Sequence, residues 1–597
     1  MIKNNWLRRT ISYDFEAGEA KFIHIVIPPN EYTNVVWFTP EKLRDSMPLN
    51  DGWDFYFAGK NDVAQPSANA NWEKVNIPHT WNARDAFDPR PFRDSLDYMA
   101  HYKRGIGFYK RKFFVPASFQ NRYMKIDFQG ANTKTEVFIN GKSVGKNANG
   151  FLDFHYQVNE QLIFGAENDI LVKVDNRFDY DIAPHTADFN FQGGIYREVS
   201  LISWNKTFAR RPQVSTPKVT PTAASYSVKS SVRTKFTTAQ KATLIVNVLN
   251  PINEIIATHT HQIEVPAGSF GVEIESKGVV KNPLLWSPKY PHLYKVQQQL
   301  YNTEGVMIDL TTDNFGFRFF DFDPQKGFSL NGRPTKLKGV NVHQDGFGKG
   351  WATSLADKKR DFELMKEMGC NYVRLSHYPH HPYVLHLCDS LGIIVWEEIP
   401  VVNTVGRDEF IKSAVKMMTK TIERDYNRPS IMFWGVGNEY YRAYYTPEDA
   451  EYALKCTEEV AKTAKKLDSY RFTIQAQNDL VDERIMSLTD IQGRNRYFGW
   501  YGKESYKEFE PMMEEEVKKH PNWRIIVSEY GAEGKYGYHV DNPVRFDHSM
   551  TYQWIFIKPI GKPSKSTIIW QVQLFGICLI FRVGQKLVIF RTSIKKV

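Results

Sequence analysis

The 597-residue chain is too long for a single core, and at about 100 to 200 residues per domain it calls for three or four. Its net charge of +10 suggests a nucleic-acid partner until the distribution is read: from Trp554 onward stand Lys558, Lys562, Lys565, Arg582, Lys586, Arg591, Lys595 and Lys596 with no acid. Removing those eight leaves the first 553 residues at +2, which excludes the basic face that nucleic-acid binding requires.

Residues 1–47 show no periodicity and no apolar stretch of signal-peptide length, so they are assigned nothing and the compartment, cytoplasmic or periplasmic, stays open. From 48 to 205 the chain reads as short strands with Gly and Asn turns, among them G-W-D-F-Y-F-A-G and T-E-V-F-I-N-G, which predicts a jelly-roll β-sandwich. Residues 206–316 contain K-A-T-L-I-V-N-V-L-N and H-L-Y-K-V-Q-Q-Q-L-Y-N between Pro and Gly turns, a length and rhythm suited to an immunoglobulin-like sandwich. Over 317–553 the pattern changes to apolar strand, loop and amphipathic helix, repeated, as in a (β/α)₈ TIM barrel. Seven such strands are legible, with cores K-G-V-N-V, Y-V-R-L-S-H, I-I-V-W-E-E-I, I-M-F-W-G-V-G-N-E, F-T-I-Q-A-Q, I-Q-G-R-N-R-Y and I-I-V-S-E-Y. A proper eighth is missing.

Glu439 closes the fourth of these strands and Glu529 the seventh. A charge following a nearly continuous apolar strand is costly without a purpose, and two carboxyl groups at the mouth of a barrel are what glycoside cleavage needs. His377, His380, His381 and His386 cluster, but H-x-x-H-H lacks the paired spacing of a zinc helix, so no metal is expected. Cys370, Cys388, Cys456 and Cys578 are too sparse for a disulfide framework. Leu574 to Phe581 is too short for a membrane span.

W-G-V-G-N-E at Glu439 and S-E-Y-G-A at Glu529 resemble the acid/base and nucleophile motifs of glycoside hydrolase family 2, β-galactosidases in particular. F-S-L-N-G-R-P-T-K-L-K-G-V-N-V-H (328–343), N-Y-V-R-L-S-H-Y-P (371–379), N-I-P-H-T-W (76–81), G-G-I-Y-R (193–197) and L-W-S-P-K-Y-P-H-L-Y (285–294) extend the likeness in family order. The resemblance implies a retaining exo-glycosidase with a carbohydrate substrate, no cofactor and no required metal; homo-oligomerisation is left open. Carried over residue by residue, it makes Asn438 a partner of the sugar 2-hydroxyl, and Arg374 and Tyr497 partners of the nucleophile Glu529. Asp188, His343 and His377 become contacts of the terminal sugar, with Trp500 of N-R-Y-F-G-W-Y among the substrate-binding residues. Glu398 matches an acidic position of unassigned role. β-Galactosides are the expected substrates; a β-glucuronidase shares the architecture and the N-R-Y-x-G-W-Y motif, and a β-mannosidase fits less well. The reading from another class, a non-catalytic carbohydrate-binding protein, is disfavoured by the presence of both carboxylates with their Arg and Tyr.

The acid-free segment 554–597 is expected to be an out-of-frame translation that leaves the barrel incomplete and turnover low. Read in the alternate frame, F-G-I-C-L-I-F (575–581) permits W-N-L-F-D-F, which resembles the family's eighth-strand motif. Sequencing the gene through the Gln553 codon tests this; an intact reading with no family motif in the alternate frame refutes it.

Overall fold

The structure, a computed structural model, describes residues 7–11, 23–27, 43–85, 102–187, 189–268, 270–440, 446–478, 482–501, 505–535 and 537–560. The first unit packs a four-stranded sheet (Phe154–Gln157, Tyr123–Phe128, Val199–Trp204, Arg44–Pro48) against a six-stranded one that includes Trp53–Gly59, Ile106–Val115 and Ala166–Asp175. Trp53, Phe55, Tyr109, Phe128, Val137 and Ile170 fill the space between. Arg44–Pro48 begins before the boundary read from sequence, because an edge strand has one partner, here Val199–Trp204, and shows only a weak apolar face of its own. Arg44 also reaches into the second unit, 2.7 Å from Asp309.

The second unit is a sandwich of two four-stranded antiparallel sheets. Leu244, Val246 and Val248 alternate inward along Gln240–Leu249, facing Val296 and Leu300 on the neighbouring Tyr294–Tyr301. Two long strands, Ala223–Thr234 and Val272–Lys281, are absent from the sequence reading. Their runs of Ser, Lys and Glu hide a thin core face of Tyr226, Val228 and Val232.

The third unit is a parallel sheet that curls in chain order. Its strands are β1 (Gly339–Asn341), β2 (Tyr372–Leu375), β3 (Ile394–Glu398), β4 (Ile431–Asn438), β5 (Phe472–Gln477), β6 (Ile491–Asn495) and β7 (Ile525–Glu529). Helices α1 (Leu355–Glu367), α2 (Pro382–Leu391), α3 (Asp408–Asp425), α4 (Pro447–Leu467), α5 (Glu483–Met486) and α6 (Phe509–Lys519) lie between strands in the chain. Every residue of β4 is buried, as expected where helices cover one face and barrel side chains fill the other. Local signals begin the helices: Ser354 and Asp357 form a capping box at α1, and Thr446 caps α4 ahead of Pro447.

No eighth barrel strand occurs among the described residues. The first and last strands of the described sheet are bridged by a side chain: Asn341 Nδ2 donates to the Ser528 carbonyl at 2.9 Å. Helical order also continues past the point where the sequence reading ends it, because α7 (Met550–Ile560) runs through Trp554. Tyr552 and Gln553 anchor its first turn on the Gly499 and Ala532 carbonyls. Trp554 and Ile555 face solvent, and the rest of the proposed out-of-frame segment, 561–597, lies outside the described residues.

The first unit sits on the barrel mouth. Arg197 donates to Gln344 and to the Pro379 carbonyl, both at 3.0 Å, and Glu198 meets His381 at 2.9 Å. On the second unit, Trp286 donates its indole N–H to the Asp389 carbonyl at 2.9 Å. Cys370, Cys388 and Cys456 are buried free thiols; Cys578 is outside the described residues. No described helix is long and apolar enough to cross a membrane.

Candidate active site

The site grows from the C-terminal ends of the barrel strands, where βα-barrels carry their chemistry. β4 ends at Asn438, and Glu439 then takes φ 48°, a left-handed backbone that non-glycine residues seldom adopt. Its N–H donates to the Ala476 carbonyl of β5 at 2.9 Å, which ties this turn to the neighbouring strand. Backbone held in such a conformation is the kind of local strain found at functional positions. On β4, Gly435 permits a close approach: a Cβ there would stand 2.3 Å from both Glu398 Cβ and Trp396 Nε1.

Arg374, at 0% side-chain exposure, is the hub. Its Nε and Nη2 bond the two oxygens of Glu398 at 3.0 Å each, a bidentate pair, and Nη1 donates to Glu529 Oε1 at 2.6 Å. The guanidinium lies 4.4 Å over the Trp396 ring. Nη2 also donates to Asn438 Oδ1 at 2.9 Å. Tyr497 donates its hydroxyl to the other oxygen of Glu529 at 2.7 Å. A cation and a phenol therefore hold Glu529 in one orientation.

His377 lies 2.6 Å from Glu398 through Nδ1. Both Nη2 hydrogens of Arg374 serve Glu398 and Asn438, so Nδ1 carries the proton given to Glu398, and Nε2 lies 3.8 Å from Glu529. Burial pushes the Glu398 carboxyl up, but the charge of Arg374 and the hydrogen bond and charge of His377 outweigh it and hold the group below the ordinary value. The role missing from the sequence reading is thus structural and electrostatic: Glu398 neutralises the arginine that also holds Glu529. His343 bonds the Tyr378 hydroxyl at 3.0 Å, and its ring lies 5.3 Å from that of His377. Burial, followed by the charges of His377, His380 and Arg374, keeps its imidazole well below the usual value.

Asp188 lies outside the described residues. Its neighbour Phe189 reaches the barrel mouth, with ring centroids 5.3 Å from His343 and 5.9 Å from His377. Trp500 departs from the sequence reading. It is 1% exposed, and the rings of Phe546, His548 and Tyr552 lie 5.0, 5.3 and 5.7 Å from it, so this indole is core rather than a surface open to a sugar. Two residues overlooked in the sequence, Asn495 at the end of β6 and Ser528 on β7, join the network: Asn495 Nδ2 donates to Glu439 Oε1 at 2.8 Å, and Ser528 Oγ donates to Asn495 Oδ1 at 2.6 Å. Their strand-end positions were the available signal. Of the clustered histidines, His380 meets the Ser376 carbonyl and His381 caps α2, and no group of three or more metal-ligating side chains occurs among the described residues.

A parallel barrel carrying two glutamates at its mouth, one clamped by arginine and tyrosine, has the equipment of the two-carboxylate glycosidases. The chain belongs to glycoside hydrolase family 2. It matches the family's profiles described as "sugar binding domain" over residues 48–205, "Glycosyl hydrolases family 2" over 210–318 and "TIM barrel domain" over 324–562. A β-glucuronidase of Bacteroides fragilis is 31% identical over 507 residues, 82% of this chain and 68% of that protein. A β-galactosidase of Thermoanaerobacter pseudethanolicus is 31% identical over 399 residues, 66% of this chain and 51% of that one. The crystal structure of a Bacteroides uniformis β-glucuronidase superposes with a TM-score of 0.82 at 31% identity, covering 89% of this chain and 64% of that structure. The chain thus spans between half and about two thirds of the length of these relatives.

Proposed function

We propose that this chain carries the site of a retaining exo-β-glycosidase, with Glu529 as nucleophile and Glu439 as acid/base. The observation that supports the assignment is the asymmetry between the two carboxyls: Glu529 is paired with the Arg374 guanidinium and the Tyr497 hydroxyl, whereas Glu439 accepts from the Asn495 amide. A cation and a phenol hold Glu529 in one orientation, as an attacking carboxylate needs, which leaves Glu439 to act as the proton donor of the pair.

In the first step Glu529 attacks the anomeric carbon as Glu439 protonates the glycosidic oxygen, the C–O bond breaks, and a covalent glycosyl-enzyme forms. Glu439, now ionised, then takes a proton from water, which attacks the same carbon and frees Glu529. Two inversions give net retention. The Asn438 carbonyl accepts from Arg374, so its amide N–H₂ is presented on the opposite side, oriented to serve a sugar 2-hydroxyl. Methanolysis of a nitrophenyl β-glycoside, followed by ¹H NMR of the first product, is expected to give the β-methyl glycoside; the α-anomer overturns the double displacement.

The preferred substrates on this reading are terminal β-D-galactosides, with Asp188, His343 and His377 reading the hydroxyls of a neutral sugar. Arg374 supports that choice, since its guanidinium is already engaged by Glu398 and Glu529 rather than offered to a substrate carboxylate. β-Glucuronides are the second reading, favoured by the names of two of the three relatives described above. Comparison of nitrophenyl β-galactoside with nitrophenyl β-glucuronide separates them: faster hydrolysis of the glucuronide replaces the first reading with the second.

A further inference from the structure

The hydrogen bonds at the barrel mouth form a chain whose direction is fixed from one end. A guanidinium has donors and no acceptor, so the atom of Asn438 that lies 2.9 Å from Arg374 Nη2 must be its carbonyl oxygen. That oxygen also lies 3.2 Å from the Asn495 amide, so Asn495 must turn its N–H₂ toward it. The opposite orientation would set two carbonyl oxygens against each other. With its nitrogen so placed, Asn495 has one hydrogen for Asn438 and one for Glu439 Oε1 at 2.8 Å. Its own oxygen then faces Ser528 Oγ at 2.6 Å, where the serine hydroxyl donates. Asn438, Asn495 and Ser528 are at most 3% exposed, so water does not compete for these bonds.

We propose that Asn495, locked by Ser528 and by the Arg374–Asn438 pair, is a positioning residue that sets the orientation and proton affinity of Glu439. The inference rests on the reading of Glu439 as the acid/base. Oε1 accepts from Asn495, which ties the carboxyl at that oxygen. An N–H donor to a carboxylate favours its ionised form, so Asn495 also lowers the affinity of Glu439 for that proton and favours its later role as base. The same arginine that holds the nucleophile thereby orients the acid, through two amides.

The test is a single-turnover labelling reaction followed by intact mass, using galacto-configured and glucuronic-acid-configured cyclophellitol aziridines on the full chain. Labelling requires the Glu529 carboxylate to attack the anomeric-equivalent carbon while the C–N bond breaks and its electron pair takes the proton from Glu439. The rate therefore falls as Glu439 ionises, and the alkaline midpoint reports its proton affinity. Asn495→Ala is expected to move that midpoint upward by roughly 0.5 to 1 pH unit. Ser528→Ala, which removes one hydroxyl and leaves the amide in place, is expected to move it in the same direction by less. Midpoints unchanged in the soluble variants, whatever their rates, overturn the proposal, because a merely structural role slows labelling without moving its titration. Labelling of the parent chain on Glu529 with an unmoved midpoint defeats only this inference. A parent chain that neither aziridine labels defeats it together with the reading of the two glutamates.

Discussion

Replacement of Arg374 by Met is expected to destabilise the barrel by roughly 3–5 kcal/mol, the usual cost of leaving a buried charge without its partner. The side chains left behind, Glu398 at 0% and Glu529 at 7% exposure, have little access to water. The pH dependence should reverse as well. In the parent protein Glu398 is held below its ordinary value of 4.5, so the stability it contributes is present above that value and is lost as the pH falls through the lowered one. Without Arg374, burial acts on Glu398 with less opposition and pushes its carboxyl upward. The variant should then gain stability relative to the parent on acidification from pH 8 toward pH 5. Urea denaturation of both proteins across that range checks the sign; equal midpoints throughout would mean that the arginine contributes packing alone.

The second large effect is on chemistry. On the proposed assignment, Glu529→Ala is expected to lower turnover by about 10⁴-fold or more, since removal of the nucleophile leaves only binding and the remaining site. Glu439→Ala is expected to cost about 10² to 10⁴-fold on substrates with poor leaving groups, and far less where the leaving group needs no proton. Azide identifies which carboxyl has been removed. In the Glu529 variant the anion enters the vacated nucleophile face and gives the α-glycosyl azide in one displacement. In the Glu439 variant it replaces water in the second displacement and gives the β-glycosyl azide. Anomers found the other way round exchange the two roles, and they are read directly from the ¹H coupling at the anomeric carbon.

By itself the sequence determined the three successive architectures and the strand ends at which Glu439 and Glu529 stand. Those rest on local patterns: alternation in Gln240–Leu249, the unbroken apolar run of β4, the capping Ser354 and Thr446, and a carboxyl at the end of a buried strand. Arg374 and Tyr497 were legible only through the family's motifs, because nothing within a few residues of either indicates that it will meet Glu529. The tertiary structure alone decided what depends on distant partners. Arg44–Pro48 becomes a strand because Val199–Trp204 offers it an edge, and Trp500 is buried because residues 546–552 return to cover it. Glu439 turns to φ 48° where β4 meets β5, and Asn495 points its amide at Glu439 because Arg374 and Ser528 fix it from two other strands. Periodicity records which side of a strand is buried, whereas the direction of a hydrogen bond depends on the donors and acceptors that folding brings together from separate strands.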